Sequence, residues 1–140
     1  GLNVLLSLAG QAAALLGDGF DTELCETHHR RKTDAPSGTA LALLEVLKGV
    51  GGKEAVFDRR GRGQRRENEI GVSVLRGGGV CGRHEVMFLG EAETLTLCHT
   101  ALDRSVFARG ALTAAQWLCD GDKKGFFTMS DVLKGGERYD

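Results

Sequence analysis

The chain has 140 residues, enough for one compact domain with a hydrophobic core and too few for two domains of ordinary size. Apolar residues make up 41% of the sequence, charged residues 26%, and the formal net charge is −1, which is typical of a soluble globular protein and argues against a dedicated nucleic-acid binder. No segment approaches the ~20 consecutive apolar residues of a membrane span, and the apolar start lacks the basic residues of a signal peptide.

The beginning of the chain predicts a helix, a strand and a second helix. Residues 3–16 carry apolar side chains at helical spacing, and residues 20–27 alternate as a strand does. A loop follows over 28–36, and Ser37 is a good cap for a helix that begins in "GTALALLEVL". The apolar positions of the first helix are Val4, Leu5, Leu8, Ala12 and Leu15.

The rest of the chain is dominated by strand patterns. A short strand at 54–58 and a basic, glycine-spaced loop at 59–68 precede three strands between Ile70 and Leu102. A third helix starts at Asp103 or Ser105 and is followed by a short final segment. This order predicts an α+β fold with a mixed β-sheet flanked by helices. No G-x-G-x-x-G motif stands between a strand and a helix, so the chain shows no dinucleotide-binding fingerprint.

The four cysteines show no C-x-x-C spacing. A domain of this size does not need disulfides, and three of the four lie in apolar or amphipathic runs, where free cysteine behaves as a small hydrophobe. We therefore expect reduced thiols and a cytoplasmic location. The residues are Cys25, Cys81, Cys98 and Cys119.

The segment "ETHHRRKTDAPSGTA" concentrates most of the reactive side chains of this sequence. Its "PSGT" part, with Ser37, Gly38 and Thr39, places unpaired backbone N–H groups and the positive end of a helix dipole at one point. Such a helix start binds a carboxylate or a phosphate, and Gly38 lets a ligand approach the backbone. The alternative is an ordinary capped helix.

The "HHRRK" part of the same segment adds proton-transfer chemistry. His28 and His29 are expected to point in different directions, one toward a reacting centre and one toward an acidic group of a ligand. Lys32 supplies a cation for a second carboxylate, or a proton. The alternative is a solvated basic loop. A metal site is not expected, because adjacent histidines do not easily share one ion and because Glu26 and Asp34 lack a ligand-like spacing.

Three further groups are weaker functional candidates. The basic loop at 59–66 could grip phosphates of RNA or DNA, but aromatic residues for base stacking are missing around it. His84 and His99 lie in strand patterns, where a hydrogen-bonded structural histidine is the default. Cys98 next to His99 is too weak a basis for a catalytic cysteine.

The long segment closely resembles the signature of bacterial dihydrodipicolinate reductases, also called 4-hydroxy-tetrahydrodipicolinate reductases. Further similarity runs through "IGVSVLRGGGVCGRHEVMFLG", "LTLCHTALDRSVFARGAL" and "GFFTMSDVL", so that the resemblance covers nearly the whole chain. It implies an oxidoreductase of lysine and diaminopimelate biosynthesis that uses NADH or NADPH to reduce a cyclic dicarboxylate. Arg31 and Thr33 depart from the common pattern, and we expect both to be tolerated.

The resemblance also implies roles for individual residues. His28 falls at the catalytic proton donor or acceptor, and Lys32 at a second proton donor that also meets substrate. His29, Ser37, Gly38 and Thr39 fall at or beside substrate contacts. Arg104 and Phe107 fall near the family's hinge to the nucleotide-binding domain. The resemblance supports these two roles less specifically than the others.

The family's amino-terminal nucleotide-binding domain is missing from this sequence. The resemblance therefore implies a substrate-binding and oligomerisation domain at 1–104, and a segment at 105–140 that would pack back on the absent domain. In the family this domain builds a homotetramer through its β-sheet. Two alternatives stay open: a non-catalytic dicarboxylate-binding or assembly module derived from that enzyme, and a nucleic-acid-binding module that uses the basic loop.

Overall fold

The computed structural model describes residues 1–135 and contains four α-helices and five strands within that range. In chain order the elements are α1 (Leu2–Leu16), β1 (Asp21–His28), α2 (Gly38–Lys48), β2 (Glu54–Phe57), β3 (Glu69–Arg76), β4 (Gly82–Leu89), β5 (Thr94–Ala101), α3 (Ser105–Cys119) and α4 (Met129–Gly135). One turn of 3-10 helix joins α1 to β1. The predicted order of helix, strand, helix, four strands and helix is confirmed, and α4 is the short final segment.

The five strands form one mixed sheet in the order β2-β3-β1-β4-β5. The three strands on one side, β2, β3 and β1, are parallel, while β4 and β5 run antiparallel to their neighbours. The predicted α+β fold with a mixed sheet is therefore confirmed. Its central strand, β1, pairs in parallel with β3 and antiparallel with β4, which places the end of β1 in the middle of the sheet.

Helices α1 and α2 pack on one face of this sheet. Side chains of β1 alternate, with Thr22, Leu24, Glu26 and His28 buried and their neighbours partly exposed. Helix α2 contributes four buried side chains to the same core. The core residues of the helices and strands are Leu5, Ala9, Leu24, Ala40, Leu43, Leu44, Leu47, Ile70, Val72, Val86 and Phe88.

Helix α1 buries a face that only partly matches the one that apolar spacing suggested, since Leu5 and Ala12 contribute to the core. Its buried residues are Leu5 and Ala9, and a Cβ added to Gly10 would lie 2.9 Å from Cγ1 of Val46 on α2. The small residues let the two helices approach closely, which turns the larger side chains away from the core. The apolar residues left exposed on α1 are Val4, Leu8 and Leu15.

By length and composition, the segment Leu2–Gly19 is apolar enough to cross a membrane. The expectation that no segment approaches that criterion was therefore wrong. In this fold the segment also contributes Leu5 and Ala9 to the hydrophobic core, where α1 packs against α2 and β5.

The chain divides into two units, Gly1–Leu102 and Asp103–Asp140, and the division into a substrate-binding domain at 1–104 and a segment at 105–140 stays a prediction. In the second unit the rings of Trp117 and Phe127 meet edge to face with centroids 5.2 Å apart, and Nζ of Lys123 lies 4.7 Å from the Trp117 ring centre. No residue of α3 is buried. This unit therefore has little core of its own among the residues that the structure describes.

All four cysteines are unpaired, as expected from their spacing. Cys25 and Cys81 are partly buried, and Cys98 and Cys119 are exposed. Burial, followed by the nearby charge of Glu85, raises the pKa of the Cys25 thiol, so that it stays protonated at neutral pH.

Two leucines of α2 allow a direct test of this packing. Leu44 is 1% exposed and Leu41 is 48% exposed. We expect Leu44→Ala to lower the free energy of unfolding by about 2–5 kcal/mol, because it leaves a cavity, and Leu41→Ala to change it by about 0.5 kcal/mol or less. Urea denaturation followed by circular dichroism measures both. Equal losses in the two variants would contradict the packing of α2.

Candidate functional site

The site lies on the helix-covered face of the sheet, at the end of β1. Glu26 and His28 are two residues apart on this strand and therefore point to the same face. Glu26 pairs with His84 on β4, and His28 pairs with Arg76 on β3. The mixed sheet thus brings four polar side chains from three strands to one place.

The carboxylate of Glu26 is completely buried and accepts hydrogen bonds from two residues. The backbone N–H of Ser37 donates to both oxygens, at 3.1 and 3.2 Å, and Nη2 of Arg76 donates to Oε1 at 2.8 Å. Burial by itself would raise the pKa of Glu26, but the hydrogen bonds from Ser37 and Arg76 outweigh it and hold the pKa below its usual value. Glu26 is therefore ionised at neutral pH.

Arg76 ties the loop between β1 and α2 to the sheet. The same Nη2 that binds Glu26 also donates to the backbone carbonyl of Asp34 at 2.7 Å. At the start of the loop, the N–H of Arg30 donates to the carbonyl of Gly78 at 3.2 Å. The loop is consequently anchored near both ends, which fixes the residues between β1 and α2 against the sheet.

His28, the predicted proton donor, lies at the centre of the site and is 8% exposed. Its Nδ1 is 3.6 Å from Oε2 of Glu26, and its ring meets that of His84 edge to face with centroids 5.0 Å apart. Burial lowers the pKa of His28, and the charge of Glu26 only partly offsets this. At the other end of the ring, a Cβ added to Gly82 would lie 3.1 Å from Nε2, so glycine leaves room there.

His84 belongs to the site, although its strand pattern suggested only a structural histidine. Its Nε2 is 3.0 Å from Oγ of Ser37 and 3.5 Å from Oε2 of Glu26. Burial, followed by repulsion from His28, lowers the pKa of His84 to about 4. The ring is therefore neutral at pH 7 and cannot act as an acid there. It does hold Ser37, and through it the start of α2, against the sheet.

The helix start has the form that the sequence predicted. Oγ of Ser37 accepts a hydrogen bond from the N–H of Ala40 at 3.2 Å, which confirms Ser37 as the cap of α2. The N–H of Ser37 is engaged by Glu26, so the donors open to a ligand are those of Gly38 and Thr39, which have no acceptor within the helix. A Cβ added to Gly38 would meet no atom within 4 Å, so a ligand has open access to this backbone.

The two remaining loop candidates lie on the same anchored segment. Nζ of Lys32 donates to both carboxylate oxygens of Asp34 at 2.8 Å, which lowers the pKa of Asp34. His29 is half-buried, and its Nδ1 is buried without a hydrogen-bond partner in the described part of the chain. Lys32 can therefore bind a ligand once its ammonium group exchanges Asp34 for it, whereas Nδ1 of His29 is shielded from solvent in the ligand-free chain.

Arg104 and Phe107, the two hinge candidates, lie in the second unit at the start of α3. Both side chains are exposed. The N–H of Phe107 donates to the carbonyl of Arg104 at 3.1 Å, so the pair forms the first turn of the helix. Their hinge role stays a prediction.

One group of described residues has the spacing of a metal site. Ligand atoms of Glu26, His28 and His84 lie within 4.8 Å of one another. This set differs from the adjacent histidines and carboxylates considered from the sequence. Arg76 already places a positive charge 2.8 Å from Glu26, where an ion would otherwise balance the buried carboxylate. The charge of the buried carboxylate is therefore balanced by a side chain of the protein.

The basic loop between β2 and β3 uses its charges within the protein. Arg59 and Arg66 bind the carboxylate of Glu69 at 2.9 and 2.7 Å, and Arg65 lies 2.9 Å from Asp21. The hydrogen bonds from Arg66 and Arg59 lower the pKa of Glu69 to about 2. These ion pairs therefore hold the loop against the sheet.

Glu26, Arg76 and His84 were not predicted as parts of the site. The sequence did contain a signal that Glu26 is buried. Its alternation with Thr22 and Leu24 places the carboxylate on the buried side of a strand, where it needs hydrogen-bond or charged partners. No comparable signal exists for Arg76 or His84. Their roles depend on which strands lie beside β1, and strand order is not encoded in local spacing.

The low pKa of His84 makes stability depend on pH. The unfolded chain binds a proton near pH 6.5, whereas the folded chain resists it until about pH 4, so acidification through this window favours unfolding. We expect His84→Gln to reduce the loss of stability between pH 7 and pH 5 by about 1–2 kcal/mol. Urea denaturation at both pH values measures this difference. A His84 titration midpoint near 6.5 by NMR would contradict it.

Comparison with known proteins connects this site to a family. The family described as "Dihydrodipicolinate reductase, C-terminus" matches residues 1–133. The chain is 50% identical over 139 residues to the 4-hydroxy-tetrahydrodipicolinate reductase of Caulobacter vibrioides, covering 95% of this chain and 54% of that relative. It is 51% identical to the enzymes of Aquifex aeolicus and Methanopyrus kandleri, with 95% and 99% of this chain and 51% of each relative covered.

A solved structure leads to the same family. It is the dipicolinate-bound dihydrodipicolinate reductase from Paenisporosarcina sp. TG-14, with a TM-score of 0.61 and 25% identity over 83% of this chain and 46% of that chain. The chain spans about half the length of the curated relatives it matches. It belongs to the dihydrodipicolinate reductase family and corresponds to the C-terminal part of its members.

Proposed function

We propose that this chain is the substrate-binding part of a 4-hydroxy-tetrahydrodipicolinate reductase. Such an enzyme uses NADH or NADPH to reduce a cyclic dicarboxylate to tetrahydrodipicolinate in lysine and diaminopimelate biosynthesis. The observation that carries the proposal is the hydrogen-bond network that anchors the β1–α2 loop, the segment that carries His28 and Lys32, to the sheet and to the start of α2. Identity of about 50% to reductases of this name supports the same assignment.

The charges on this loop support a dicarboxylate as the substrate class. The amides of Gly38 and Thr39 at the positive end of α2 suit one carboxylate, and His29 and the ammonium group of Lys32 suit the other. Dipicolinate, which the solved relative has bound, is a flat ring with two carboxylates. We therefore assign a cyclic dicarboxylate to this site, with the donors placed to orient it before reaction.

The loop residues would hold the substrate while one proton is delivered to it. A reduced nicotinamide nucleotide, bound mainly outside this chain, would supply the hydride to a ring carbon. His28 or Lys32 donates the matching proton, so that one hydride and one proton together reduce one double bond. The burial of His28 excludes water from its ring, and the link between Lys32 and Asp34 keeps the ammonium group near the loop.

Arg104 and Phe107 in the second unit would form the hinge toward the nucleotide-binding part of the enzyme, with their side chains exposed for that contact.

The face of the sheet opposite the helices would pack against other copies of the chain in a homotetramer. The location of the enzyme would be the cytoplasm. Residues of β1 and β4 on that face are partly exposed in the single chain, which supports such packing.

Binding of a substrate mimic tests the site without the nucleotide. We expect the 140-residue chain to bind pyridine-2,6-dicarboxylate, and Lys32→Ala to weaken binding about 10- to 100-fold, since one charge-assisted hydrogen bond is lost. Isothermal titration calorimetry measures the affinity. The control is Lys48→Ala, which removes a charge from the far end of α2 and should leave the affinity unchanged. Equal affinities for all three proteins would place the dicarboxylate elsewhere.

Turnover tests the chemistry. In an enzyme that joins these residues to the amino-terminal half of the Caulobacter relative, we expect His28→Gln to lower kcat by about 10²- to 10⁴-fold, the usual contribution of a general acid. Oxidation of NADH or NADPH, followed at 340 nm with the dicarboxylate substrate, measures it. Normal turnover by the His28→Gln, Lys32→Ala double variant would refute the proton-transfer role. Dicarboxylate binding with no turnover by the parent would favour the non-catalytic module.

A further inference from the structure

We infer that Glu26 is a positioning residue that orients the ring of His28 with a proton on Nδ1, and so makes Nε2 the nitrogen that exchanges a proton with substrate. The catalytic importance of this proton rests on the proposed function. The position of the proton on the His28 ring can nevertheless be measured in the ligand-free chain, independently of catalysis.

The geometry defines the pair. Glu26 and His28 share the buried face of β1, and Nδ1 of His28 is buried with no hydrogen-bond partner among the described residues. The carboxylate oxygen 3.6 Å away can only accept a hydrogen bond. A lone pair on Nδ1 would face that anion unfavourably, whereas an N–H there would point its positive end at it. The 3.6 Å separation is longer than a hydrogen bond, as is common for catalytic pairs before substrate binds.

Glu26 is itself held in place from two other directions. Arg76 on β3 and the N–H of Ser37 at the start of α2 both bind its carboxylate, so it remains ionised and cannot rotate away from His28. Because the same carboxylate holds Ser37, it also links the proton donor to the helix start where the amides of Gly38 and Thr39 are open. One buried group thus positions both halves of the proposed site.

The other nitrogen of the ring has a different environment. Nε2 of His28 lies beside Gly82 on β4, where a Cβ would come within 3.1 Å. Glycine leaves space at the end of the ring that faces away from Glu26. The ring therefore faces a carboxylate at Nδ1, and the missing Cβ of Gly82 leaves room at Nε2 for a proton to be exchanged there.

Several charged groups act on His28, and Glu26 is the one that favours its protonated form. The carboxylate raises the pKa of His28, against the larger effect of burial. The groups that lower it are Lys32, Arg76 and His29, and the neutral ring of His84 packs on its edge. Removing the charge of Glu26 should consequently make His28 a stronger acid and harder to protonate.

Nitrogen NMR of the 140-residue chain tests the inference directly. Long-range ¹H–¹⁵N correlation distinguishes protonated from unprotonated ring nitrogens, and the signals that disappear in His28→Gln assign the ring. At a pH above its pKa, we expect the parent protein to show His28 protonated on Nδ1. A parent spectrum with the proton on Nε2 would overturn the inference without the need for any further variant.

Variants then test whether Glu26 is the cause. In Glu26→Gln we expect the pKa of His28 to fall by about one unit or more and the Nδ1–H preference to weaken, while Glu26→Asp, which keeps the charge, restores part of both. The control Glu45→Gln removes an exposed carboxylate from α2 and should change neither. An unchanged tautomer and pKa in a folded Glu26→Gln protein would refute the role of Glu26.

The outcomes separate this inference from the proposed function. If the parent protein binds dipicolinate but shows no preference for the Nδ1-protonated tautomer of His28, only the positioning role of Glu26 is refuted. An Nδ1-protonated His28 in a chain that does not bind dipicolinate would support the pair and count against the substrate assignment.

Discussion

The buried charge of Glu26 is the constraint on which the site depends. A carboxylate with no solvent contact needs compensation, and the protein supplies it with Arg76 from one neighbouring strand and the Ser37 amide from the start of α2. Each partner then fixes something else: Arg76 holds the carbonyl of Asp34, and Ser37 caps the helix. The position of the loop is thus a consequence of satisfying one buried anion.

The same network assigns different tasks to chemically similar groups. His28 and His84 lie edge to face, yet the pKa of His84 is lowered to about 4, which keeps it neutral. His28 has Glu26 facing Nδ1, and this carboxylate supports its protonation. One histidine therefore stabilises the start of α2, while the other is suited to proton transfer. The carboxylate of Glu26 raises the pKa of both rings, so the distinction comes from burial and from the repulsion that His28 exerts on His84.

The two units of the chain differ in the extent of their hydrophobic cores among the described residues. The first has a closed core between two helices and a five-stranded sheet. The second, Asp103–Asp140, contains α3 without a buried residue. Its apolar side chains Val106, Phe107 and Leu112 are exposed.

The sequence by itself determined the order of helices and strands, the cap at Ser37 and the loop that carries His28 and Lys32, because these depend on local spacing and residue chemistry. Only the tertiary structure decided which side of α1 is buried, since Gly10 and Ala9 let that helix approach α2 by its small residues. It alone joined Glu26 to Arg76 and His84, which lie 50 and 58 residues further along the chain. Those contacts arise from strand pairing, where β1 lies between β3 and β4, and long-range pairing leaves no periodic trace in the sequence.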